Sequence, residues 1–299
     1  MMTVSTHASA QDLPVARGFS PRALAWRRFR AHRLAMAGLV VLAVLVLASA
    51  LGPLLYRTDP NAVDPLLYRQ PPGAGHPLGT DSAGRDVLAR LLAGGRVSLT
   101  IGLVAAALAT VIGVGLGVTA GYLRGRIEAA LSRIAEVFQS FPTLIVIIVA
   151  AAFLGPNLWL LIGSLGFMQW TQAFRLTRGL TLSLREQDSI EAVEGLGASS
   201  WRIVRKHLVP AVLPQAAVSF TLLTATVIMT EAALSFLGLG VPPPTATWGG
   251  MINEAQQLRI LGSMPWMWAP PGIAIALTVL AVNFVGDGLR DAVDPRQTR

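Results

Sequence analysis

The chain contains no cysteine, which excludes structural disulfides, thiol catalysis and thiolate metal sites outright. Charge is sparse too: 13% of the 299 residues are Asp, Glu, Lys or Arg, against roughly 25% in an ordinary soluble domain. A phosphate-cradling loop needs Gly-Lys-Ser/Thr so that its lysine reaches the phosphates. The one lysine, Lys206, follows Arg205, so the chain offers no such nucleotide site. The four histidines, His7, His32, His76 and His207, are scattered through tail and loops with no metal-ligand spacing. No nucleophile–base pair is recognisable. The expectation is a non-enzyme with no catalytic, cofactor-binding or metal residues of its own.

What fills the chain instead is apolar material, 53% of residues at a mean hydropathy of +0.57, and it is bunched. Stretches without Asp, Glu, Lys, Arg or His occupy residues 34–56, 97–123, 137–174, 208–230 and 260–286. A hydrocarbon core of about 30 Å is crossed by about 20 helical residues, so each stretch can span it. The stretch 137–174 is too long for one crossing, and Gly155-Pro156-Asn157 supplies a turn to divide it. Six spans are therefore expected in an all-α membrane protein. Ala48-Ser49-Ala50 resembles a signal-peptidase site, but the basic preface and apolar stretch before it are longer than a signal peptide's, and the first span is expected to stay.

Net charge is +8. In a soluble protein that excess would raise the question of nucleic acid; here the sign of each loop is more informative, and no nucleic-acid partner is expected. Eighteen of the 24 Lys and Arg lie before the first span, after the second, between the fourth and fifth, and in the tail; the other six lie in the alternate loops. Cationic loops stay in the cytoplasm, so both termini are expected inside, as an even number of spans requires. Residues 1–33 form a cytoplasmic segment, with a basic helix over 22–33 resting on anionic lipid. Residues 34–56 are the first span.

Residues 57–96 form an external loop stiffened by Pro65, Pro71, Pro72 and Pro77. Val87, Leu88, Leu91 and Leu92 fall on one helical face and predict a short interfacial helix there. In the second span Gly113, Gly117 and Gly121 stand four apart, a small-residue stripe that allows close helix packing. Gly115 and Gly117 also fit a dinucleotide fingerprint, which is rejected because no strand precedes it. Residues 232–253 lack charge but hold Pro242-Pro243-Pro244 and several glycines, so they predict an external loop packed on protein rather than a seventh span.

The segment 175–210 is the most informative. Asp188 can cap a helix with Glu191 closing a capping box, and Gly197 is placed to end that helix. Ser199 or Ser200 then starts a second helix that runs into Pro210. Two short helices joined at a glycine turn make a rigid knuckle on the cytoplasmic face. Elsewhere, Asp287 with Arg290, Arg290 with Asp294, and Arg133 with Glu136 are spaced as helical ion pairs.

The knuckle resembles the EAA loop of ABC importer permeases. Glu191, Ala192, Gly197 and Pro210 match that pattern, while Val193 stands where the family has its second alanine and Val209 where it has leucine. The resemblance extends over nearly the whole chain after residue 22 and is specific for the C-type permease of dipeptide and oligopeptide importers. It rests on Trp26-Arg27-Arg28-Phe29, His76 to Asp81, Gly84-Arg85-Asp86-Val87, Arg96 to Leu99 and Phe141-Pro142. It continues in Glu231 to Gly240, Trp248-Gly249, Gly286 to Asp291 and Asp294-Pro295-Arg296.

The resemblance implies a type I importer permease, with residues 97–288 as its transmembrane domain and 289–299 as a cytoplasmic tail touching the ATPase. It implies ATPase coupling through Glu191, Ala192, Val193, Gly197, Ala198, Ser199, Trp201 and Pro210. The partners it implies are a second homologous permease, two ATPase subunits carrying the ATP and magnesium, and an extracytoplasmic solute-binding protein delivering peptide, all at the bacterial inner membrane. Glu231 beside the fifth span is either a gate or pathway residue or a helix-end anchor. Nickel chelates, glutathione, opines and oligosaccharides are alternative cargoes. An ion-driven secondary transporter would carry charged or broken helices at mid-membrane, which these apolar stretches lack.

Overall fold

In the computed structural model, residues 21–155 and 157–293 are described; expectations placed on residues 1–20, on Pro156 and on Asp294-Pro295-Arg296 lie outside them. The regular structure of the described residues is helical, with an isolated bridge between Thr80 and Asp86 as their one extended pairing. Helix α1 (Pro21–Ala31) turns at His32 into α2 (Arg33–Leu55), where the His32 Nδ1 accepts from the Ala35 N–H at 3.0 Å. Leu34, Val40, Val44, Leu47 and Leu51 of α2 are exposed along its length. So large an apolar surface belongs in hydrocarbon.

Helix α3 (Val87–Leu123) is the scaffold of the fold, 37 residues and about 55 Å long. The Asp86 carboxylate caps it by accepting from the Ala89 N–H at 2.7 Å. No separate interfacial helix precedes it, contrary to expectation: Val87, Leu91 and Leu92 belong to the same unbroken rod, which passes through Gly94-Gly95. Those two glycines do not break the helix because they accept the backbone of Ala246 and Thr247 and the side chains of Ser49 and Trp248 at close range.

The expected glycine stripe is where α3 meets α6 (Leu158–Arg185). A Cβ on Gly113 would lie 2.5 Å from the Trp170 carbonyl oxygen, and one on Gly117 would lie 2.8 Å from that of Phe174. With no hydrophobic force between helices in lipid, such close approach supplies the packing energy.

Between these two rods the stretch 137–174 is broken twice rather than once. Helix α4 (Gly125–Ser140) ends at Phe141, α5 (Thr143–Leu154) follows at a bend of 79°, and α6 begins after Asn157, whose Oδ1 accepts from the Leu160 N–H at 2.8 Å. The extra break is at Phe141-Pro142, where Phe141 is extended at φ −94° and ψ 131°. A proline forces its predecessor out of the helical region and removes a donor. By length and apolarity four helices can cross a membrane, or five if α4 and α5 count as one bent segment. The four are α2, α3, the continuous rod Ser200–Phe236 and α12 (Pro265–Val293). Six such helices are thus not reproduced; α6 is long enough at 28 residues but carries Gln169, Gln172, Arg175, Arg178 and Arg185.

The bundle has two distinct ends. At one, the 57–86 loop is tied to α10 (Trp248–Glu254), α11 (Leu258–Ser263) and the start of α12: Arg69 donates to Gln257 at 3.0 Å and the Trp266 indole to the Thr80 carbonyl at 3.3 Å. Residues 237–247 join this cap, and Gly240 and Gly249 press on Ser235 and Ala232. The loop expected over 232–253 is therefore packed on protein, although it starts at Leu237 and its last part is α10.

At the other end α1 folds against the end of α12, with Phe29 and Ala35 packed on Ala292 and His32 Nε2 3.6 Å from Asp291. Both described chain ends therefore lie together. The expected Asp287–Arg290 pair does not form among the described residues; Asp291, one position on, lies near His32 of the α1–α2 corner. Arg133 and Glu136 do pair, at 2.8 Å.

Candidate functional site

The knuckle occupies the end of the bundle where the termini meet. Helix α7 (Asp188–Gly195) is closed by backbone bonds from Leu196 to Ala192, Gly197 to Glu194 and Ala198 to Val193, with Gly197 left-handed at φ +80°. Glycine adopts that conformation without the clash a Cβ brings, so the chain reverses within one residue. The capping box is not formed: Gln187, not Asp188, is the N-cap, and it makes no side-chain cap bond. Asp188 and Glu191 instead sit inside the first turn, where negative charge favours the positive end of the helix dipole.

Ser199 is the N-cap of α8 (Ser200–Ile203), again without a side-chain cap bond. That helix is not a separate piece. A π turn (Val204–Leu208) leads it into α9 (Val209–Phe236), with Pro210 in the first turn of α9. Displacing α8 therefore displaces a rod of 37 residues reaching the opposite end of the molecule.

The knuckle has two faces. Ile190, Ile203 and Leu208 are buried against Val118 and Tyr122 of α3 and Val212 of α9, with Val193 and Ala198 packed at the margin. The Arg185 guanidinium donates to the Tyr122 carbonyl and lies 5.2 Å from the Tyr122 ring centroid, and Arg124 pairs with Glu186 at 2.7 Å. The outer face carries Leu196 at 87% and Trp201 at 71% exposure, alongside exposed Glu191, Ala192, Gly197, Ser199 and Pro210. Of the residues singled out from sequence, the geometry gathers these on the outer face and puts Val193 and Ala198 on the anchoring side. Leu196 was missed; its apolarity beside the glycine turn was the available signal. A concavity of about 400 Å³ beside the knuckle is lined by Gln187, Ser189, Lys206, His207 and Pro210 among others.

Glu231 lies near the other end and is 1% exposed. Its carboxylate accepts from Ser235 at 2.7 Å and from Ser98 of α3 at 3.3 Å, while the Ser98 oxygen accepts from the Trp248 N–H at 3.1 Å. It stands as a hub between α3, α9 and α10, five residues before the end of α9. Sequence reasoning also missed the ion network above it, in which Arg85 and Arg90 both reach Asp81 and Glu254.

With this geometry in hand, comparison with known proteins is decisive. Residues 113–299 match the family described as binding-protein-dependent transport system inner membrane component. The chain belongs to that family. Residues 20–72 of this permease match the N-terminal transmembrane domain of oligopeptide transport permease C. The permease is 39% identical over 301 residues, covering 99% of each chain, to a Brucella suis protein that carries the name of a peptide permease. It is 38% identical over 269 residues to the oligopeptide transport system permease protein OppC of Bacillus subtilis, covering 90% of this chain and 88% of that one. The inward-facing MetNI methionine ABC transporter shares the fold, at a TM-score of 0.55 and 22% identity over 68% of this chain and 96% of that one. The permease is thus a membrane component of an ABC importer.

Proposed function

We propose that this permease forms half of the translocation pore of a bacterial inner-membrane importer for di- and oligopeptides. A second homologous permease supplies the other half, two ATPase subunits carry the ATP and magnesium, and an extracytoplasmic binding protein delivers the peptide. The peptide cargo is supported by the names of the relatives from Brucella suis and Bacillus subtilis.

Six crossings follow if α4 with α5 make one bent span and α6 another, alongside α2, α3, α9 and α12. Successive rods then alternate in direction, and an even number returns both chain ends to one side. The cationic loops make that side the cytoplasm.

The observation that carries the coupling role is the two-faced knuckle, whose outer face bears Leu196 and Trp201 and whose inner face is bolted to α3 and α9. An ATPase groove gripping the outer face would move α8 and with it α9, opening and closing the pathway as two packed arrangements alternate. Because the chain has no cysteine, Leu196→Cys gives a single reporter thiol. It should cross-link to an ATPase subunit bearing an engineered groove cysteine, with a yield that changes on adding ATP. A Leu196→Cys chain that never cross-links in an assembled, transporting complex would refute the docking face.

A further inference from the structure

Helices α6 and α9 lie side by side on α3, where Ala106 and Ala109 meet Ala173 and Leu223. The glycine stripe of α3 presses on Ala173, Thr177 and Thr181 of α6. Helical spacing leaves Gln172, Arg175, Gly179 and Ser183 on the side of α6 turned away from α3, and all four are exposed. On α9, Ile228 and Glu231 face Gly102 and Ser98 of α3. The exposed or half-buried Ala211, Gln215, Leu222, Thr226, Met229 and Ala233 follow the opposite side of that rod. The two stripes therefore form one surface. At the knuckle end it runs into a cavity of about 530 Å³, walled by Leu180 and Leu184 of α6, Pro214 and Gln215 of α9, and Arg290 of α12.

This surface is not built for hydrocarbon. Past Arg33, the exposed side chains of α2 are all apolar. On α6, by contrast, Gln172 stands about 21 Å from the start of the helix and about 20 Å from its end, with Arg175 one turn closer to the knuckle. Neither has a hydrogen-bond or ion partner among the described residues. A carboxamide or guanidinium left bare in lipid is costly, and such groups face a water-filled cavity or a bundle interior. Thr226, on the α9 side, satisfies its own donor by bonding to the Leu222 carbonyl at 3.0 Å and keeps lone pairs free to accept.

We infer that the joint surface of α6 and α9 is this chain's wall of the translocation pathway, wetted through the cavity at the knuckle end, with Gln172, Gln215 and Thr226 as the groups that meet the backbone of the cargo. The assignment rests on the importer reading above and adds the residues that line the route. Two carboxamides and a hydroxyl offer donors and acceptors to peptide units of any sequence and no charge that would select a side chain. Glu231, on the α3 side of α9, stands outside this wall.

The absence of cysteine makes the wall testable by single thiols. Gln172→Cys, Thr226→Cys and Val44→Cys chains are assembled with their partners in nanodiscs and treated with a charged, membrane-impermeant methanethiosulfonate, and labelling of this chain is followed by mass. Val44 is 58% exposed within α2 and reports hydrocarbon. The reactive thiolate is suppressed in apolar surroundings, so the two wall cysteines should label at least about tenfold faster than Val44→Cys. Their modification should also block uptake of cargo. Labelling at 172 and 226 no faster than at 44, or undiminished uptake after full modification, would overturn the assignment. Fast labelling of the isolated permease that vanishes on assembly would make the surface a seam with the second permease and overturn it equally. Labelling does not depend on what is carried, so fast labelling in a complex that takes up no peptide would uphold the wall and fault the peptide reading alone.

Discussion

Ser235 donates its hydroxyl to Oε1 of Glu231 at 2.7 Å, one turn back along α9, while Ser98 of α3 approaches Oε2 at 3.3 Å. A buried carboxylate with hydroxyl donors and no cation thereby clasps two of the long helices beneath the cap.

Replacing Glu231 by alanine removes the acceptor for both hydroxyls, and buried groups left unmatched cost about 1–3 kcal/mol. Glu231→Ala should lower the unfolding midpoint in nanodiscs clearly, and Glu231→Gln should do so less, since the amide oxygen keeps one acceptor and serine hydroxyls can rotate. A Glu231→Gln permease that folds normally but loses transport would make the clasp a gate. One that transports normally would leave it a packing element.

The stripe on α3 offers a comparison within one helix. Gly117 meets the backbone of Phe174 and Arg178, whereas an added Cβ on Gly115 meets nothing within 4 Å. Gly117→Leu should destabilise by about 3 kcal/mol or disrupt assembly, while Gly115→Leu should be near neutral. Size-exclusion profiles and unfolding midpoints of the two variants decide it; equal effects would contradict the observed helix contact.

In the cap, Glu254→Ala leaves the buried Arg90 with only its 3.3 Å contact to Asp81. Breaking a buried ion pair by removing one partner costs about 3–5 kcal/mol, less here because Glu254 is partly exposed. The 57–86 loop should become a substrate for limited trypsin digestion at Arg69 while the knuckle end stays protected. Unchanged digestion would mean the network does not hold the loop.

How far the sequence reached depends on the range of the interactions involved. Span-length apolar stretches, the Gly113-Gly117-Gly121 stripe and the left-handed turn at Gly197 are local in cause and were legible. The break at Phe141-Pro142 was also locally encoded, but the proline was read as part of a family motif rather than as a helix breaker. Other features depend on residues far apart. Arg90 stays inside an unbroken α3 because Glu254 arrives from 164 positions away, and Gly94-Gly95 stay helical because residues 246–248 pack on them. The capping box failed because Asp188 and Glu191 lie one position inside the turn they were expected to open. Charge and turn signals located the knuckle, yet only the fold separates exposed Trp201 from Val193, which turns inward.

Trp201 projects from α8 without burying its ring, so Trp201→Ala should change stability by no more than about 0.5 kcal/mol. Its effect should fall on coupling, with the ATPase of the assembled complex losing its response to peptide-loaded binding protein. A variant with normal peptide stimulation would remove Trp201 from the docking face.

The central claim, that the knuckle transmits ATP-driven motion to the helices, is tested most directly at Gly197. A Cβ there would meet nothing within 4 Å, and Asp bears the left-handed φ of +80° with less strain than most residues, so the bundle should still fold while the outer face gains a charge. Peptide-stimulated ATPase activity and transport should be measured on the co-purified complex in nanodiscs, wild type against Gly197→Asp. The account predicts a folded permease in which both are lost together. Full peptide-stimulated hydrolysis and transport in Gly197→Asp would contradict it.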